Sequence, residues 1–459
     1  MHDVTSFVRT AIPGKLRNQS GGLIQILAEV YICAIAALYS LEGLWSSMLV
    51  FYAVSGIAAL GVMLSCLALG RLYRKTDVLL MLFFLCFAWI SATVSFGFTR
   101  YFFFSKFFCA WCLLLSLYFV IQCAPDPDRL LRRFGSVFVV GLSASCLYIL
   151  IHATASIFRE YPAQNTVRGC FQLGRLCGFT NANRLGMACA ALIMLSIFGW
   201  LATAGRKRHF YALPALIGWF VLGMTNCRTG IVGISICVGM LAFLVILRKP
   251  IPCKGIWRWI VSGVFAAVLA LVIMESLYLP TRLYQIVLRR FANIVGNSDL
   301  LNNLQALRVR GVSEPVGTVS DRFLTWKKCL SDVFKTPRRT WFGVSSMDKE
   351  GILSVYEGHH EIDTKHALNT YLELLREFGL IGTAIWLILL LHWFRTGIRI
   401  LRDPQQSVPS LCLSASAAAI LAMGLSESVP FTHIQFCYVP ILFFLICGFM
   451  ERKRAAYEE

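Results

Sequence analysis

Three side chains in the sequence have the chemistry to handle a phosphorylated substrate: Arg228, Arg322 and His366. The planar guanidinium of arginine can form two parallel, charge-assisted hydrogen bonds to a phosphate group, each worth about 1.5–3 kcal/mol. Histidine titrates near neutral pH and can take a proton from an attacking hydroxyl. If the three residues meet, Arg228 and Arg322 would hold a lipid diphosphate, and His366 would act as general base.

A simpler structural role is open to each of these residues. Arg228 can extend its guanidinium from a helix end to the membrane surface, and so can Arg184 in the stretch GFTNANRLG. Arg322 can pair with Asp321 or with another nearby acid. His366, taken alone, can be an ordinary histidine at the membrane interface.

Glu427 is a second candidate acid or base. It lies near the outer end of an apolar segment, and a charge at the centre of a bilayer costs about 2.5–3.5 kcal/mol. We therefore expect its carboxyl group to face protein or water.

A possible metal site lies in the stretch EGHHEID, which places five potential ligands close together. These are Glu357, His359, His360, Glu361 and Asp363. Their spacing matches no defined metal motif, and a solvated loop explains the same composition. We therefore expect no metal and no other cofactor, because two arginines can stabilise the charge of a departing diphosphate.

The composition indicates what must position these residues. Of 459 residues, 57% are hydrophobic and 15% are charged, which excludes a soluble globular protein. A membrane-spanning helix needs about 20 apolar residues, and twelve segments approach that length. They are 22–41, 47–69, 78–97, 104–123, 135–157, 183–203, 210–226, 229–247, 257–278, 379–394, 408–425 and 433–450.

The predicted fold is an all-α polytopic membrane protein with about 12 transmembrane helices. One long, partly helical periplasmic loop separates helices 9 and 10, so the chain divides into segments 1–278, 279–378 and 379–459. With the N-terminus in the cytoplasm, 22 of the 43 Lys and Arg residues flank the cytoplasmic helix ends and 7 flank the short outer loops. This bias supports cytoplasmic termini and explains most of the +19 net charge without a nucleic-acid partner.

Motifs in the polar segment 279–378, together with residues on either side of it, resemble those of the bacterial O-antigen ligase and O-antigen polymerase family. The matching residues are Arg228, Arg322, Trp326, Trp341 to Gly343, Asn369, Glu377, Gly379 and Gly382. The resemblance covers the loop and the following span. In the family a histidine directly precedes the asparagine, whereas this chain has Leu368 there and His366 two residues earlier.

The resemblance implies a glycosyltransferase of the multi-span C type at the periplasmic face of a bacterial inner membrane. Its donor would be a glycan on undecaprenyl diphosphate, and its acceptor a hydroxyl of lipid A core or another lipid-anchored glycan. It implies a catalytic set of His366, Arg322 and Arg228, and a substrate-binding set of Arg184, Arg228, Arg322, Asn369 and Trp326.

Two other functions remain open. One is an O-antigen or exopolysaccharide polymerase of the same superfamily, which the displaced histidine favours. The other is a membrane transporter of lipid-linked glycan, since twelve spans are common among transporters. Transporters often show internal repeats and midplane charges, and neither is evident in the sequence.

The topology predicts that an engineered thiol at Ser345 reacts with a membrane-impermeant maleimide added from outside, because Ser345 lies in the segment 279–378. A thiol at Lys207 should react only after the inner membrane is permeabilised. Labelling is measured above the background of the native cysteines. Labelling of Ser345 only after permeabilisation would overturn the topology.

Overall fold

The computed structural model describes most of the chain and leaves several connecting segments undescribed. The described residues are 14–41, 49–68, 75–94, 106–159, 166–167, 171–172, 175–178, 181–248, 255–296, 319–343, 352–356, 360–364, 367–403, 406–427 and 438–458. Within them the fold is dominated by helices.

The described residues of the first part of the chain include nine α-helices. They are α1 (Gly14–Ser40), α2 (Leu49–Ala68), α3 (Lys75–Val94), α4 (Lys106–Cys123), α5 (Pro127–Arg159), α6 (Ala182–Ala202), α7 (Ala212–Thr225), α8 (Arg228–Arg248) and α9 (Ile256–Ser276). Three two-residue strands lie between α5 and α6: β1 (Thr166–Val167), β2 (Phe171–Gln172) and β3 (Arg175–Leu176). They pair antiparallel in the order β1-β2-β3.

The second part begins within the segment 279–378. It contains α10 (Leu279–Val295), α11 (Val319–Val333), α12 (Pro337–Phe342), β4 (Ile352–Tyr356), β5 (His360–Thr364), α13 (Thr370–Arg402), α14 (Val408–Met423) and α15 (Tyr438–Glu458). Strands β4 and β5 form an antiparallel hairpin in which Tyr356 pairs with His360. This hairpin was not part of the sequence prediction.

Each predicted apolar segment overlaps one helix of the structure. Among the described residues, six helical segments are long and apolar enough to cross a membrane: Gly22–Ser40, Pro127–Ile157, Ala182–Ala202, Arg228–Arg248, Ile256–Val295 and Thr370–Leu401. The helical class is therefore confirmed, with six candidate spans among the described residues. The number twelve and the periplasmic loop stay predictions.

Buried aromatic rings join α3, α4 and α13 in the core. The ring of Phe83 lies 5.5 Å from that of Trp111, 5.0 Å from Phe378 and 5.6 Å from Trp386. All four side chains are at most 1% exposed. Aromatic pairs at such distances add about 0.5–1.5 kcal/mol to their burial. The N-terminal half of α13 is therefore anchored in the bundle.

Helix α13 begins at Thr370, nine residues before the predicted boundary at 379, and bends at Gly379. The bend lies against the turn that ends α12. A side-chain carbon at Gly379 would overlap the Trp341 carbonyl, and one at Gly343 would overlap the Glu377 carbonyl. Both glycines have left-handed φ angles, +63° and +76°. These two motif positions require glycine because two backbones touch there.

We expect Gly379→Ala to lower the unfolding free energy by about 2 kcal/mol or more, since the left-handed conformation alone costs a residue with a side chain about 1–2 kcal/mol. The matched control is Gly61→Ala on α2, where nothing lies within 4 Å of the added carbon. That change should stabilise the helix by about 0.5–1 kcal/mol. Thermal unfolding in detergent measures both. Equal melting temperatures for Gly379→Ala and wild type would contradict the backbone contact.

Candidate active site

The candidate site is built around the turn Gly424–Glu427, which follows α14. The last carbonyl groups of a helix have no partner within the helix. The carbonyl groups of the turn that follows α14 find their partners at the start of α13. The Thr370 amide donates to the Gly424 carbonyl at 2.8 Å, and the Thr370 hydroxyl donates to the Glu427 carbonyl at 3.0 Å. The Asn369 side chain donates to the Leu425 carbonyl at 3.0 Å. The turn is thereby fixed to α13.

Arg322 approaches the same turn from α11. The buried residues of this helix recur every four positions, at Thr325, Cys329 and Val333, and this face packs against α13. The Arg322 Nη1 atom donates to the Ser426 carbonyl at 2.5 Å, and its Nη2 atom lies 3.9 Å from Glu427 Oε1. The latter distance is an ion pair but not a hydrogen bond. The Arg322 side chain is 32% exposed, so its guanidinium keeps an open side.

Glu427 itself is almost completely enclosed, with 7% of its surface exposed. Its Oε1 atom accepts a hydrogen bond from Asn183 Nδ2 at 2.8 Å. Burial raises the pKa of Glu427 to about 7, although Arg322, Arg175, the Asn183 hydrogen bond and Arg184 act in the opposite direction. The carboxyl group therefore takes up its proton at a higher pH than an exposed glutamate does.

Arg175 on β3 connects this carboxyl group to the start of α8. Its Nε atom donates to the Thr225 carbonyl at 2.8 Å, and its Nη2 atom donates to Asn183 Oδ1 at 2.6 Å and to the Asn226 carbonyl at 3.3 Å. Asn226 ends α7 with a left-handed φ of 47°. Arg175 thus holds both the Asn183 amide and the turn that leads to Arg228.

Arg228 is exposed at the first residue of α8. The next residue, Thr229, forms a hydroxyl–hydroxyl hydrogen bond of 2.9 Å with Ser426, the residue whose carbonyl accepts from Arg322. Arg228 and Arg322 therefore belong to segments that meet at Ser426, although they are far apart in sequence. The N-terminus of α8 adds a positive dipole end beside them.

Ala367, the residue after His366, is held by hydrogen bonds to both its amide and its carbonyl group. Ala367 donates its N–H to Glu373 Oε2 at 2.5 Å and accepts a hydrogen bond from Trp326 Nε1 at 3.0 Å. Leu368 has a left-handed φ of 51°, which is uncommon for a branched side chain. His366 lies outside the described residues, so its position as a catalytic residue stays a prediction.

Trp326 and Asn369, both predicted to bind substrate, use polar atoms in the fold. The Trp326 indole nitrogen is engaged with Ala367, and its ring packs 5.2 Å from that of Phe323. The Asn369 oxygen accepts from the amides of Tyr371 and Leu372 and caps α13. Their clearest role is to shape the site.

Within the described part of the chain there is no group of three His, Cys, Asp or Glu side chains able to hold an ion. The side chains of the stretch 357–363 lie outside the described residues. Metal independence stays a prediction.

Comparison with known families places this geometry in context. Residues 213–387 match the family model described as O-Antigen ligase. The match covers less than half of the chain and shows that this part is similar to O-antigen ligases. The resemblance predicted from the sequence is confirmed over these residues. No curated protein matches the chain.

The matched residues contain Arg228, Arg322 and the capped start of α13. Arg175 and Glu427 lie outside the match but bind to it directly, through the Thr225 carbonyl and the Thr370 hydroxyl. The Asn183 side chain lies between them and is hydrogen-bonded to both. The family supports transfer of the ligase or polymerase type in general terms.

Asn369→Ala should lower the unfolding free energy by about 1–2 kcal/mol, because it removes the cap of α13 and the hydrogen bond to Leu425. Asn369→Asp keeps the capping oxygen and loses only the donor, so it should fall between Asn369→Ala and wild type. Thermal unfolding in detergent gives the order. An aspartate variant as unstable as the alanine variant would argue against the cap.

Proposed function

We propose that the protein transfers a glycan from undecaprenyl diphosphate to a hydroxyl of lipid A core or of another lipid-anchored glycan. The reaction would take place at the periplasmic face of a bacterial inner membrane, among membrane lipids. The protein would then be a glycosyltransferase of the O-antigen ligase type that needs neither a metal nor another cofactor.

The observation that carries this proposal is the excess of arginine around the Gly424–Glu427 turn. Arg175, Arg184 and Arg322 all act electrostatically on Glu427, and Arg228 begins the helix that contacts the same turn through Thr229. Arg322, whose side chain is 32% exposed, and the exposed Arg228 present positive charge beside this buried carboxyl group, so an anion would be attracted to the site. A diphosphate is such an anion.

The hydrogen bonds of the arginines separate a structural residue from those that could bind a substrate. Arg175 uses its donors on Thr225, Asn226 and Asn183, so we assign it to structure. Among the described residues Arg322 donates to the Ser426 carbonyl, and its side chain is 32% exposed; Arg228 is exposed. We assign Arg228 and Arg322 to the diphosphate, with Arg184 as a further binding residue. Their charge would stabilise the leaving group as its bond to the sugar breaks.

A transfer to a hydroxyl also requires a base. His366 is the base that the sequence resemblance implies, and Glu427 is a buried carboxyl group at the arginine cluster. Trp326 and Asn369 would support the reaction by fixing the backbone around it, since Trp326 donates to the Ala367 carbonyl and Asn369 donates to the Leu425 carbonyl. Whichever group acts, it must lie on the open side of Arg322 to reach an acceptor beside the bound donor.

A polymerase of the same superfamily is the second candidate. The specific observation in its favour is Leu368, which occupies the place where a ligase is expected to have its histidine. A transporter is less compatible with the site, because the arginines and Glu427 gather at helix ends and not within the spans.

The surface glycan of a deletion strain separates these functions. Loss of a ligase leaves free lipid A core while polymer remains on the carrier lipid. Loss of a polymerase leaves single repeat units on the core. A gel of lipopolysaccharide shows either pattern, and an unchanged pattern would speak against both activities.

Arg322→Lys and Arg228→Lys should each reduce glycan transfer by about 10–100-fold, since lysine keeps the charge but loses the second parallel hydrogen bond. Arg289→Lys is the matched control, because Arg289 is exposed on α10. Transfer is measured with purified donor and acceptor after checking that each variant is present in the membrane. Near-normal transfer by both lysine variants would show that the diphosphate binds elsewhere.

A further inference from the structure

Glu427 is held by side chains whose arrangement goes beyond the needs of folding. The Asn183 amide is fixed at both ends: its oxygen accepts from Arg175 at 2.6 Å, and its nitrogen donates to Glu427 at 2.8 Å. The Asn183 donor is therefore aimed at one carboxylate oxygen. An amide held in this way orients a carboxylate and stabilises its ionised form.

The same carboxyl group lies beside the guanidinium that we assign to the diphosphate. Arg322 Nη2 is 3.9 Å from Glu427 Oε1, which is close enough for electrostatic coupling but too long for a hydrogen bond. The Glu427 side chain is 9% exposed, and that of Arg322 is 32% exposed. A ligand on the open side of Arg322 would therefore be adjacent to Glu427.

We propose that Glu427 is the catalytic base that receives the proton of the acceptor hydroxyl, and that Asn183 and Arg175 are the positioning residues that aim it. This inference rests on the proposed function. The acceptor oxygen forms a bond to the anomeric carbon as its O–H bond breaks, and the proton passes to Glu427. The bond between the anomeric carbon and the diphosphate oxygen breaks, and the diphosphate leaves with the electron pair toward Arg322 and Arg228. Glu427 then releases its proton to water.

The surroundings of Glu427 suit this role. Burial raises the pKa of its carboxyl group to about 7, and a base is most effective when its pKa lies near the working pH. The charged groups that face it are Arg322 from α11, Arg175 from β3 and Arg184 from α6, and the buried Cys227 thiol lies nearby. When the diphosphate has left, these cations again face the protonated Glu427. Their positive charge favours its ionised form and therefore the release of its proton.

The pH dependence of transfer tests the base. Because only the ionised carboxylate accepts a proton, the rate should increase about tenfold for each pH unit below 7 and level off above about pH 8. Glu427→Gln should lower kcat by about 10²–10⁴-fold and abolish this acidic limb, with little change in KM for the donor. Glu427→Asp, which keeps the charge, should retain the limb at a reduced rate. Glu275→Gln, an exposed site on α9, should behave as wild type.

The two positioning residues have a distinct signature. Asn183→Leu removes a hydrogen bond to the ionised form, and Arg175→Gln removes a positive charge. Each change therefore raises the pKa of Glu427 and shifts the acidic limb to higher pH. A merely structural role would lower kcat without moving the limb.

His366→Ala provides the opposing arm of the experiment. Retention of the acidic limb in His366→Ala and its loss in Glu427→Gln are expected. The reverse pattern, or normal transfer and an unchanged limb in Glu427→Gln, would overturn the inference and leave the diphosphate assignment in place. Absence of transfer by the wild-type protein would instead refute the proposed function, and this inference with it.

Discussion

The end of α14 supplies backbone carbonyl groups that the rest of the site is built upon. A helix cannot satisfy its own last carbonyls, and in a membrane-embedded bundle water is scarce as a substitute. The amides of the turn Gly424–Glu427 donate back to the last carbonyls of α14. Groups from other elements then hold this helix end and its turn: Tyr371, Thr370 and Asn369 from the start of α13, and Arg322 from α11. The contacts that complete the helix end therefore also place the chemical groups.

Two rigid connections make this placement accurate. The glycine pair at Gly343 and Gly379 joins the polar segment to α13 by direct backbone contact, and Phe378 anchors the same bend to Phe83 in the core. Arg175 joins the loop before α6 to the turn between α7 and α8. A site assembled from distant parts of the chain needs such connections, because an error of one ångström in the position of a catalytic group is costly.

Much of the fold could be predicted because hydrophobic length and charge bias follow directly from the bilayer. The helical segments were predicted in this way, whereas the motif glycine at Gly379 came from the family resemblance and the roles of Arg228 and Arg322 stay predictions. Arg175 was missed as a structural residue, since its partners Thr225 and Asn183 lie 50 and 8 positions away and no local spacing reveals them. One signal was available: Asn226 after an apolar helix is a typical left-handed cap, and such a turn needs partners for its carbonyls. The hairpin β4–β5 lies in a polar stretch with no clear alternation.

The hydrogen-bonded chain from Arg175 through Asn183 to Glu427 has a consequence for biosynthesis. Its first members enter the membrane early, whereas Glu427 is 244 positions beyond Asn183 and emerges from the ribosome among the last helices. Until then Asn183 and Arg322 lack their shared acid, and the cluster of arginines is not yet balanced. Under the proposed role of Glu427, a nascent chain that stops before α14 is inactive however many spans it has formed. Activity would then begin only when the last helices are in place.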